Sequence, residues 1–296
     1  MYRNTFLSVM FLACCFNGSL CAQSDAQIYE RTCDAKTYPF SDPSPVATPN
    51  NSYYPYFRFD GFSMQAQEKQ WKMVVLENDY VKLTVTPEIG GKIWGAIDKV
   101  NNKEFVYTNG VVKFRDVAMR GPWTSGGIEF NFGIIGHAPT CSTPIDYLTK
   151  KNVDGSVSCH IFSYEWITRT VWNVEINLPK DKAYFTTHTT WFNQSSIDQP
   201  YYQWMNAGYA TKTGTRFYYP GTYSIGHSGD LHPYPIDEEG RDVSWYDNNN
   251  FGASKSLHII GDYNDYFGIY WHNEKHGSAH CSNYDEKLGM KFYLWS

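Results

Sequence analysis

The strongest constraint on this fold is a succession of short aromatic and β-branched runs, each closed by turn-forming residues, from Trp71 to the end of the chain. WKMVVLEN, YVKLTVTP and GKIWGAIDK are split by Asn78-Asp79 and by Pro87–Gly91, and KEFVYTN follows a turn at Asn101-Asn102. GSVSCHIFSYEW, TRTVWNVEINL and AYFTTHTTWFN recur at regular spacing, with Pro179–Lys182 as a hairpin turn. YYQWMNAGYA, TRFYYP, KSLHIIG, YFGIYWHN, GSAHCSN and GMKFYLW continue the pattern. No stretch of a dozen residues carries a helical period. The expectation is an all-β, antiparallel domain of two large sheets packed face to face. No repeat of fixed period points to a propeller.

Within that series Met119–Thr140, MRGPWTSGGIEFNFGIIGHAPT, holds five glycines and two prolines, a density no helix tolerates. It reads as a loop or a strongly bent strand. Arg120, Trp123, Glu129, Asn131 and His137 crowd polar groups beside aromatic planes, which suits a sugar-binding cleft. A Gly-rich crossover in which Glu129 and Arg120 merely pair is the structural alternative.

Aromatic residues make up 18% of the chain, with 24 Tyr, 18 Phe and 10 Trp. Most must build a β core, but flat rings also cover the apolar face of a pyranose. The formal charge of -5 argues against a nucleic-acid partner. Arg3, the apolar run Phe6–Phe16 and Leu20-Cys21-Ala22 read as a signal peptide over residues 1–22. A periplasmic, cell-surface or secreted location follows, with lipid anchoring at Cys14 less favoured. The apolar run is too short to span a bilayer comfortably, and no later segment reads as a membrane span. Residues 23–70, broken by Pro39, Pro43, Pro45, Pro49 and Pro55, read as an arm or linker, and 71–296 as the β domain. Cys33, Cys141, Cys159 and Cys281 are widely spaced and without a CxxC, so neither a zinc site nor an obligatory disulfide follows. The chain stops at GMKFYLWS inside an alternating run, so the sheet is expected to be incomplete at its C-terminus.

LENDYVKLTVTPEIGGKIWGAIDKVNNKEFVY, RGPWTSGGIEFNFGIIGHAPT and QPYYQWMNAGYA resemble a domain family of unknown function in secreted proteins of Bacteroidetes and other bacteria, whose members are often followed by tetratricopeptide repeats. The resemblance covers about residues 70 to 296. That family is in turn similar to the galactose mutarotase-like superfamily, which implies a β-supersandwich and a carbohydrate ligand. Mutarotases use a histidine acid and a glutamate base. In the matching stretch here, Asn193 to Asn206, their histidine position falls on Tyr202, and the base expected near the C-terminus has no counterpart. The first departure counts against mutarotation, and the missing base, expected to lie beyond Ser296, counts against a complete active site of any kind in this chain.

Taken singly, Glu129 is the candidate catalytic carboxylate, with Asn131 on the same face of a local strand. Partial burial would raise it toward a general acid, whereas a pair with Arg120 would lower it. His137 is the candidate proton carrier, with a backbone-satisfying role as its alternative. Arg120, Trp123, Asn131, Tyr202, Trp204 and Asn206 are candidate substrate contacts, the last three sharing a face at period two. His227, Asp230 and His232 match no standard metal spacing. No cofactor motif is present, and the oligomeric state is not set by the sequence. The expected partner is an oligo- or polysaccharide, the expected activity hydrolytic through Glu129. A non-catalytic glycan-binding or scaffolding domain and a sugar epimerase are the alternatives.

Overall fold

The computed structural model describes residues 24–39, 63–118, 121–133, 136–252, 254–262, 265–286 and 289–295. The expected signal peptide and Arg120 lie outside the described residues. The chain opens with β1 (Gln27–Tyr38), β2 (Gln67–Glu77), β3 (Val81–Thr86), β4 (Lys92–Asp98), β5 (Lys103–Val106) and β6 (Val111–Lys113). The glycine-rich stretch and its approach supply β7 (Arg115–Ala118), β8 (Gly121–Trp123), β9 (Ile128–Gly133) and a 3-10 turn, Pro139–Ser142. A meander follows: β10 (Asp146–Lys151), β11 (Val157–Glu165), β12 (Thr170–Leu178) and β13 (Thr186–Asn193), then β14 (Tyr202–Ala207). The last third holds β15 (Thr215–Tyr218), β16 (Tyr223–Ile225), β17 (Leu231–Pro233), β18 (Ser254–Ile260), β19 (Tyr266–Trp271), β20 (His276–Cys281) and β21 (Met290–Trp295).

The fold is all-β. One sheet of eight strands runs β14-β9-β4-β3-β2-β1-β6 with β5 beside β4, and a four-stranded sheet runs β10-β11-β12-β13. Their facing sides make the main core, where Leu76, Leu83, Ile93 and Phe132 meet Ile161, Trp172, Val174 and Ile176. TVWNVEINL shows why β12 forms: its odd positions are buried and its even ones half-exposed, a strand with one wet face. Phe132 and Trp172 stack in parallel with centroids 4.4 Å apart, and burying each ring contributes about 2–3 kcal/mol.

Three features differ from the sequence reading. Gln27–Tyr38, read as part of an arm, is a twelve-residue strand paired along its length with β2. The sheet is not wholly antiparallel, because β1 pairs with β6 in parallel. Among the described residues, none of the seven strands after β14 extends the two large sheets. They form sheets of their own, β15-β19-β20 and β17-β16-β18-β21, around Phe217, Ile269, Trp271 and Phe292. Alternation tells which side chains turn inward but not which sheet receives them, so a second, smaller sandwich is invisible to the pattern. Among the described residues Cys33, Cys141, Cys159 and Cys281 form no disulfide. Among the described residues no helix is long and apolar enough to cross a membrane.

Candidate functional site

β9 lies between β4 and β14 with both faces covered, and its six residues are all buried. Ile128, Phe130 and Phe132 enter the main core, so the pleat sends Glu129 and Asn131 to the opposite face. Register then fixes their neighbours. Asn206 lies opposite Glu129 and Trp204 opposite Asn131 on β14, while Ile93 opposite Ile128 leaves Lys92 and Trp94 on the polar side of β4. Gly126 and Gly127 make this packing possible. Both have positive φ, and a Cβ on Gly127 would sit 2.3 Å from the Ile93 carbonyl oxygen. The Gly127 N–H donates to the Tyr107 carbonyl and its own carbonyl accepts from Gly208, which ties the turn to the start of β14's exit.

Glu129 is the centre of the cluster, its side chain only 4% exposed. Its Oε1 accepts from the amides of Asn131 at 3.1 Å and Asn206 at 3.0 Å. His137 Nδ1 stands 2.6 Å from the same oxygen, but out of line for an aligned hydrogen bond. The second oxygen, Oε2, is buried with no protein partner. Asn131 is used up by the fold, since its Oδ1 accepts from the Ala138 N–H at 2.8 Å and the Cys141 thiol at 3.1 Å. Those two bonds hold the turn that presents His137. Its ring lies 4.7 Å from Trp204, edge to face, and 5.4 Å from Trp123. The buried indole N–H of Trp204 also lacks a partner.

Burial pushes the Glu129 carboxyl upward, but His137, Lys92 and the Asn131 amide together outweigh it and hold the group below its ordinary value. The carboxylate is therefore ionised at neutral pH and is not the raised general acid that partial burial suggested. Lys92, missed in the sequence, is the deeper cation. It is 2% exposed, donates to the carbonyl and hydroxyl of Thr124, and lies 5.9 Å from the Trp94 and Trp123 rings. Burial pushes its ammonium downward, with Glu129 and Cys141 opposing. A lysine inside the apolar run of a strand is the signal that was available, because such a group is rarely buried without partners.

Of the residues singled out in the sequence, Glu129, Asn131, His137, Trp123, Trp204 and Asn206 are brought into one cluster. Tyr202 sits at its edge, opposite Gly133 and exposed. Outside the cluster, Glu88 accepts the Lys72 N–H and Glu77 pairs with Lys99 at 2.7 Å. His232 contacts Glu238 at 2.9 Å, and among the described residues no group of His, Cys, Asp and Glu is arranged to hold a metal.

A domain of unknown function, DUF5107, matches residues 48–296, most of the chain and all of this cluster. The chain belongs to that family. A crystal structure of a TPR-domain-containing protein from Parabacteroides distasonis superposes with a TM-score of 0.81 at 22% identity, covering 92% of this chain. That match shows that the fold is shared; the chain spans 47% of the length of that protein. A second solved structure, from Synechocystis, is 11% identical with a TM-score of 0.49 over 67% of this chain and 72% of its own.

Proposed function

We propose that the Glu129 cluster is a saccharide site and that the domain is an exported carbohydrate-active module of the galactose mutarotase-like type. One observation carries the reading. The cluster holds a buried acceptor, Glu129 Oε2, and a buried donor, Trp204 Nε1, neither with a protein partner. Each orphan costs about 1–3 kcal/mol. A hydroxyl group is donor and acceptor at once, so sugar hydroxyls satisfy both atoms, and an ionised carboxylate makes the stronger, charge-assisted bond. Trp123 and Trp204 are half-buried and offer ring faces for the apolar side of a pyranose. Because the two orphan atoms are closed to water, binding requires the side chains packed over them to shift.

Binding is favoured over the hydrolysis expected from the sequence. A glycosidase sets two carboxyl groups across the scissile bond, one of them a proton donor. Glu129 is an anion, and its contacts are two amides and an imidazole rather than a second carboxylate. A second reading, sugar epimerisation, draws support from the Glu129–His137 contact. There the carboxylate lies against the Nδ1 side of the imidazole, and Nε2 is the nitrogen left to move a proton.

Titration with a panel of neutral oligosaccharides, followed by assays for reducing-end release and for epimeric product, separates these. The expected result is saturable binding without turnover, lost in Glu129→Gln. Epimerisation abolished by His137→Gln with binding intact selects the second reading, and reducing-end release abolished by Glu129→Gln restores hydrolysis.

A further inference from the structure

The three-stranded sheet β15-β19-β20 turns one face to the C-terminal core, through Phe217, Ile269 and Trp271. Alternation places Arg216, Tyr218, Gly268, Tyr270, Gly277 and Ala279 on its other face, in two cross-strand rows: Arg216, Tyr270, Gly277 and Tyr218, Gly268, Ala279. Trp245 bridges to Arg216 at the open edge of the first row. The result is a floor of small residues beside a wall of three rings. His272, which follows β19, is exposed and stands inside that wall, 4.8 Å from Trp245 and 4.9 Å from Tyr270, with its Nε2 3.1 Å from the Tyr218 hydroxyl.

The Arg216 guanidinium lies 5.2 Å from the Tyr218 ring and 5.1 Å from Trp245, so two aromatic groups hold it in place. Its side-chain hydrogen bond is a long one, 3.4 Å to the Ser244 hydroxyl. Among the described residues it forms no ion pair. Arg241 shows the contrast, with Asp237 and Glu239 each at 2.7 Å. Arg216 makes no direct ion pair of that kind: Asp242 reaches it only through the Ser244 hydroxyl, which donates to Asp242 at 2.5 Å, and the guanidinium shares the Tyr218 and Trp245 rings with the His272 imidazole.

We propose that this face is a second saccharide site, selective for anionic sugars, in which Arg216 and His272 take the carboxylate or sulfate group and the sugar ring lies against Trp245 and Tyr218 over the Gly268–Ala279 floor. A guanidinium fork matches a carboxylate in two parallel hydrogen bonds, and rings flank it where the apolar face of the sugar falls. The site shares no residue with the Glu129 cluster and does not depend on it.

Calorimetric titration of the full chain with trigalacturonate, with a sulfated heparin disaccharide and with neutral maltotriose tests this, in the parent, Arg216→Gln, Trp245→Ala and Glu129→Gln. The expected result is that at least one anionic probe binds about tenfold more tightly than maltotriose and weakens at high salt. Arg216→Gln and Trp245→Ala each weaken it about tenfold, while Glu129→Gln leaves it unchanged. The preferred anion, carboxylate or sulfate, identifies the source. The proposal is overturned if neither anionic probe saturates below about 10 mM, if Arg216→Gln has no effect, or if Glu129→Gln alone removes the binding. Self-association abolished by Trp245→Ala, with no anionic sugar bound, also overturns it and marks a protein contact instead.

Discussion

The two faces of β9 are buried to the same degree and do different things. Ile128, Phe130 and Phe132 fill the main core and leave nothing unsatisfied, whereas Glu129 and Asn131 are just as hidden among amides, an imidazole and a lysine, with one carboxylate oxygen unpaired. Burial on the first face lowers the free energy of the fold. Burial on the second raises it unless every polar atom is met, and one is not. The difference is one of roles in the fold: the apolar face holds the chain in shape, and the polar face holds an unmet bonding capacity in a fixed position.

The largest expected effect lies on the apolar side. Trp172→Ala removes the ring stacked on Phe132 and should cost about 3–5 kcal/mol in chemical denaturation, while any saccharide affinity measured on the folded fraction stays the same. Loss of affinity at full folding would break the separation of the faces. Gly127→Ala acts on both faces at once. A side chain at φ 64°, with its Cβ driven toward the Ile93 carbonyl, should lower stability by about 2–4 kcal/mol and weaken binding as β9 shifts.

A smaller, pH-dependent effect belongs to Glu129 alone. Its carboxyl is held below its ordinary value in the folded chain, so the native state prefers the anion. The stability this provides is complete above the ordinary value of 4.5 and is lost as pH falls through the depressed native value. Melting temperatures of the parent and Glu129→Gln measured from neutral to acid pH should therefore converge on the acid side. Parallel curves would show that the carboxylate is not held as an anion. The smallest change is Asn206→Ala, expected to cost about 1 kcal/mol by removing one amide from Glu129 Oε1. A larger loss would mean that Asn206 organises the cluster rather than completing it.

Much of this was legible in the sequence. The alternation Glu129-Phe130-Asn131 and the period-two set Tyr202, Trp204, Asn206 each announce a strand with a polar face, and β9 and β14 are those strands, paired in a register that sets Asn206 against Glu129. Lys92 was not found, because its place in the cluster depends on β4 lying beside β9 although 36 positions separate Lys92 from Ile128. Periodicity is local and sheet order is not. The same limit hid the parallel β1–β6 pair and the separate C-terminal sheets. The charge of Glu129 was misjudged for a related reason. Burial could be inferred from its apolar neighbours, and a lowering partner was expected in Arg120, whereas the lowering comes first from His137 and then from Lys92 on another strand.

The most direct test is on the Glu129 carboxyl itself, followed by carbon-13 NMR of the labelled side chain during titration with the neutral oligosaccharide panel. The expected result is an anion at neutral pH whose resonance shifts in a saturable way with one class of saccharide, with Trp204 Nε1–H shifting along the same curve. A resonance that stays in place while a saccharide demonstrably saturates the protein, or one that no saccharide in the panel perturbs, would contradict the assignment of this cleft to sugar.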